Sequence, residues 1–127
     1  MMEKLSRKID GFSLVEVLVV MAIIGLLAII AIPQFAAYRK KGFEAQVKED
    51  LRNAAAAQES YFATNQAYVG GALTNGTPPG YNRTAPVVMT AQTVGNTFTL
   101  TATHANCVGV SWSYSSVGGA IDGGPCP

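Results

Sequence analysis

Residues 11–33 read G-F-S-L-V-E-V-L-V-V-M-A-I-I-G-L-L-A-I-I-A-I-P, from Gly11 to Pro33. Residues 17–32 are 16 positions without a polar side chain, and only Gln34 interrupts the apolar character before Tyr38. That reaches the roughly 20 residues a membrane-spanning helix needs. Glu16 lies about one turn into the run, where a bare carboxylate in lipid costs on the order of 2–3 kcal/mol and calls for a partner. Gly11 is a small residue at the border between a basic leader (Lys4, Arg7, Lys8) and the apolar run. A secretory signal is cut after its apolar region. Here the small residue precedes it, so cleavage at Gly11 leaves the hydrophobic helix on the mature chain.

The remainder of the 127 residues suffices for one small domain. Half the chain is hydrophobic and 13% is charged, against about 25% charged in a typical soluble protein. Without residues 1–11, six basic and six acidic side chains remain, a balance that argues against a general nucleic-acid binder. Cys107 and Cys126 form an even pair lacking Cys-x-x-Cys spacing. A disulfide in an oxidising compartment is the reading, which puts the C-terminal part outside the cytoplasm. Arg39, Lys40 and Lys41 flank the far end of the apolar run, so the distribution of positive charge alone does not fix orientation.

Beyond the run, Phe43, Val47, Leu51, Ala54 and Tyr61 or Phe62 recur at helical spacing. Glu44 precedes Lys48 by four residues, and alanines 54–57 favour helix. The spacing predicts one helix over residues 12 to about 63, membrane-spanning in its first half, amphipathic in its second, and bent near Pro33. Residues 64–86 are rich in Gly, Pro, Asn and Thr and read as a loop. Its two Asn-x-Thr triplets, at Asn75 and Asn82, are read as chance matches. Residues 87–93, 97–104 and 108–115 alternate as strands, with Val94-Gly95-Asn96 as the first turn. Phe98, Leu100 and Ala102 share one face of the second strand, and Val108, Val110, Trp112 and Tyr114 one face of the third. The expectation is an α+β fold in which a three- or four-stranded antiparallel sheet buries one side against the long helix, followed by a glycine-rich tail over 117–127 tied back through Cys126.

Candidate chemistry is sparse. His104 is the only histidine and is read as a surface or packing residue. Glu59 and Asp122 are too few for a calcium site. No serine or cysteine stands in a nucleophile context, and no metal, cofactor or catalytic activity is expected.

Gly11-Phe12-Ser13-Leu14-Val15-Glu16, with the apolar run and Ile32-Pro33, resembles the N-terminal signature of type IV pilins and pseudopilins. Ser13 and Val15 stand where Thr and Ile are common, and Asp10 where Lys or Arg often precedes the glycine. The resemblance covers about the first third of the chain. It implies a leader over 1–11 cut between Gly11 and Phe12 by a prepilin peptidase, and N-methylation of Phe12. It implies that residues 12–38 lie in the inner membrane and later in a fibre core, with 39–127 as an outer head. Glu16 would pair with the free amine of Phe12, and Phe12, Glu16 and Pro33 would serve assembly, through an inner-membrane platform, into a helical filament of identical subunits. Nucleic acid would enter only through DNA uptake by such a fibre. The alternatives are a type II secretion pseudopilin, or a membrane-anchored module that binds a partner outside the cytoplasm.

Overall fold

The computed structural model describes residues 11–127; most of the expected leader, residues 1–10, lies outside the described residues. The chain divides into two compact units, Met1–Ala36 and Ala37–Pro127. Helix α1, Leu14–Asn65, contributes to both and carries Pro33 inside it. Proline has no N–H to give the carbonyl of Ile29. The helix ends where Gln66 takes a left-handed conformation (φ 54°). The Gln66 N–H still donates to the Phe62 carbonyl at 2.8 Å, and the side-chain amides of Asn65 and Gln66 add donors to the carbonyls of Tyr61 and Phe62 in this last turn.

In the second unit five strands follow: β1 Gly71–Leu73, β2 Val87–Val94, β3 Thr97–His104, β4 Ser111–Ser115 and β5 Ile121–Gly123. They form one antiparallel meander in sequence order. The α+β expectation is borne out, with corrections to its parts. The sheet has five strands rather than three or four. The expected loop over 64–86 contains β1 and the tail contains β5; each is three residues long, too short to show alternation. The strand expected from 108 begins at Ser111. Gly109 (φ 80°) turns the chain there, which leaves Val108 exposed and Val110 half-buried.

One core joins helix and sheet. Val47, Leu51 and Ala54 of α1 are fully buried, against Val87 and Met89 of β2, Phe98, Leu100 and Ala102 of β3 and Trp112 of β4. Leu73, Met89, Ala102, Trp112 and Gly123 stand opposite one another across all five strands. The two residues beside Trp112 in that row are small, and they leave room for its indole. A Cβ on Gly123 would lie 2.1 Å from Trp112 Cδ1. Since Trp112 is fully buried, it cannot swing away freely. Gly123→Ala should therefore destabilise the second unit by about 1–3 kcal/mol, the usual cost of overpacking. Thermal unfolding followed in the near ultraviolet through Trp112, the single tryptophan, measures this; an unchanged midpoint contradicts it.

Polar side chains of α1 hold the connections. Asp50 is buried, and its carboxylate accepts from the backbone N–H of Thr84 (2.9 Å) and from its hydroxyl (2.8 Å). Gln58, also buried, donates to the carbonyl of Val69 and accepts from its N–H. Burial, and then the nearby Asp50 carboxylate, push the Tyr81 phenol up to about 12. Asp50→Ala removes the acceptor of two Thr84 donors, at about 1.5–3 kcal/mol for hydrogen bonds to a charged group. It should lower the urea midpoint and speed proteolysis within residues 74–86. Asp50→Asn, which keeps one acceptor, should lose less. Equal effects of the two substitutions would contradict this account of Asp50.

Candidate functional site

The helix begins at a built cap. Ser13 Oγ accepts the Glu16 N–H at 3.2 Å, and the Ser13 carbonyl accepts the Val17 N–H at 3.3 Å. Ser13 is thus the N-cap, and Ser13-Leu14-Val15-Glu16 carries the serine half of a capping box. The same spacing places the Glu16 carboxylate in the first turn, where the amide dipoles favour negative charge. Phe12, just before the cap, and Glu16, in the first turn, line one notch of about 230 Å³ with Val17, Val20 and Met21.

Gly11 is exposed, and among the described residues nothing lies within 4 Å of where its Cβ would be. The fold itself therefore makes no demand for glycine at this position. Phe12 is 88% exposed, and the apolar side chains that follow remain uncovered to Ile32 at 68%. Soluble monomers rarely leave apolar patches above a few hundred Å² in water, so this helix surface needs lipid or protein around it. Among the described residues one helix is long and apolar enough to cross a membrane. Pro33 lies on the exposed surface of the same helix.

In the second unit Cys107 and Cys126 are joined. The Cys126 N–H donates to Glu44 Oε1 at 2.8 Å, so the tail is held twice: to the loop after β3 through the bridge, and to α1 through a helix carboxylate. Glu44, which pairs with Lys48 by spacing alone, is thus engaged by a residue 82 positions away.

His104 is a packing residue, buried and stacked on Phe43 with ring centroids 4.7 Å apart. Its Nδ1 accepts the Asn106 N–H, so the proton on Nε2 faces Gln46 Oε1 at 3.0 Å. His104 also lines a depression of about 340 Å³ with Pro86, Val88, Thr103, Val108 and Val110. With both ring nitrogens engaged, it has no free position for a substrate proton. Both Asn-x-Thr triplets serve the fold: Asn75 Oδ1 accepts the Arg83 N–H, and the Thr84 hydroxyl is held by Asp50.

The polar partners Ser13, Glu44, Asp50 and Gln58 escape a reading of periodicity. Of these, Ser13 had a signal, the Ser-x-x-Glu spacing before an apolar run.

Residues 6–32 match the model of the prokaryotic N-terminal methylation motif. The chain is 40% identical over 58 residues to the type IV major pilin protein PilA of Myxococcus xanthus, which covers 46% of this chain and 26% of that protein. It is 40% identical over 62 residues to the type IV wide pilus major component PilA4 of Thermus thermophilus, 49% of this chain and 47% of that protein. The chain is similar to type IV pilins over about half its length. The resemblance carried by Gly11–Pro33 is thereby borne out. The matched segments span about a quarter and about half of those two relatives.

Proposed function

We propose that this chain is a structural subunit of a type IV pilus. The observation that carries the reading is the uncovered apolar surface of α1, which starts at a capped turn bearing Phe12 and Glu16. The methylation motif and the pilin relatives support it.

In this reading residues 1–11 are a leader that a prepilin peptidase removes after Gly11, and Phe12 is then N-methylated. Residues 12–38 cross the inner membrane with the N-terminus in the cytoplasm. The head, 39–127, stands outside, where its disulfide forms. An inner-membrane platform moves the subunit into a helical filament on the cell surface, and equivalent helices replace the lipid around residues 12–38. Cleavage creates a cationic amine at Phe12. Docked on the Glu16 carboxylate of a neighbour, it neutralises both charges and sets an axial offset of about 6 Å, four residues at 1.5 Å each. The role is architectural, with no catalytic group and no cofactor, and contact with DNA would come only through uptake by the fibre.

Electron microscopy of cells with and without the gene tests this. Fibres that disappear on deletion, return with the full chain and bind antibody to the head along their length are expected. Unchanged fibres that no such antibody decorates contradict the reading.

A further inference from the structure

Arg39, Lys40 and Lys41 are consecutive, exposed cations on α1, immediately after the apolar run. Arg39 Cζ lies 5.9 Å from the centroid of the Phe43 ring, and Lys41 Nζ 5.9 Å from that of Tyr38. Both distances are within cation–π range. Within six residues of the three in either direction the only carboxylate is Glu44, and its Oε1 holds the Cys126 N–H. That leaves the three cations open to a counter-charge from outside the chain.

At 3.6 residues per turn, consecutive side chains point about 100° apart. Three in a row reach around most of the helix, so a flat protein face or a nucleic-acid duplex meets one or two of them. A bilayer surface surrounds the helix and meets all three. Exposed Tyr38 supplies the aromatic ring that favours headgroup depth. Residues 17–36 measure about 30 Å at 1.5 Å each, the thickness of the hydrocarbon core.

We propose that Arg39, Lys40 and Lys41 form an interfacial collar that binds the phosphate groups of anionic phospholipids around the helix and fixes the depth at which the subunit rests before assembly. This rests on the membrane-anchored reading above. Cations on the outer flank oppose the usual inside bias of positive charge, and a lipid-binding role gives them a reason to be there.

The test reconstitutes the full chain in vesicles of phosphatidylcholine and phosphatidylglycerol. Spin-labelled versions of each lipid report which one is enriched at the protein boundary. The wild-type chain should prefer phosphatidylglycerol. The preference should fall about fivefold for each cation neutralised, given the affinity of single basic residues for an anionic surface. Lys40→Gln, away from both ring contacts, should show one such step, R39Q/K40Q/K41Q should lose the preference, and Arg39→Lys should keep it. Salt near 1 M, where the Debye length is about 3 Å, should weaken the preference. Equal preference in wild type and triple variant overturns the collar. So does displacement of phosphatidylglycerol by inorganic phosphate beyond that by chloride of equal ionic strength, which would mark a free-phosphate site. Displacement by a DNA duplex overturns it in favour of nucleic acid. A chain that alkaline carbonate strips from the vesicles takes the membrane reading down with the collar; one that stays inserted without lipid preference removes the collar alone.

Discussion

Cells whose only copy carries Glu16→Ala should accumulate cleaved, membrane-inserted subunit and shed almost no fibre. The substitution isolates the carboxylate, because the Ser13 hydroxyl holds the backbone N–H of Glu16 and not its side chain. The capped start of α1 therefore survives, and alanine is the better helix former. Membrane insertion becomes easier once an acid is removed from the apolar run. What fails is the docking of the Phe12 amine, which enters a fibre core without a counter-charge. Leaving one member of a desolvated pair alone costs about 3–5 kcal/mol, and the cost recurs at every subunit added. Glu16→Gln should fail in the same way, since it keeps shape and hydrogen bonding but not charge. Comparing mature subunit in membranes with subunit in sheared fibre gives the answer. Wild-type fibre yield from Glu16→Ala would remove the carboxylate from assembly.

Gly11→Val should leave the chain in the membrane uncut. Around Gly11 the structure offers open space, and its backbone lies outside the left-handed region that valine avoids. The fold thus tolerates the side chain, so a processing defect belongs to the peptidase. A β-branched residue next to the scissile bond displaces it in a cleft shaped for close backbone approach. A shift of about 1 Å slows an enzyme on the order of a hundredfold. Immunoblots should show the precursor band replacing the mature one, and fibres should be lost with it. A mature product beginning at Phe12 at the normal rate would contradict the cleavage assignment.

What the sequence makes legible divides along physical lines. The apolar run from Val17 to Ile32 and the faces of β2 and β3 are written in local periodicity, since each residue's environment depends on its own position along helix or strand. Phe98, Leu100 and Ala102 are buried on one face, as their alternation predicts. β1 and β5, three residues each, carry no such pattern: they pair along the two edges of the sheet. Asp50 and Gln58 look like members of a solvated helix face. They are buried because Thr84 and Val69, 34 and 11 residues further on, return to cover them. The same holds for Glu44 and Cys126. Contacts made at such separations depend on the fold and have no local signature. At the N-terminus the reverse is true. In the proposed reading, Gly11, Phe12 and Glu16 are legible because their chemistry acts on partners outside the chain.

The central claim is that the chain is cut after Gly11 and built into a fibre through the new N-terminus. Mass spectrometry of fibres sheared from cells expressing the full chain tests it most directly. The predicted result is an abundant N-terminal peptide that begins at Phe12 and carries one methyl group on its amine. Sheared fibres lacking this chain, or containing it with residues 1–11 still attached, would contradict the account.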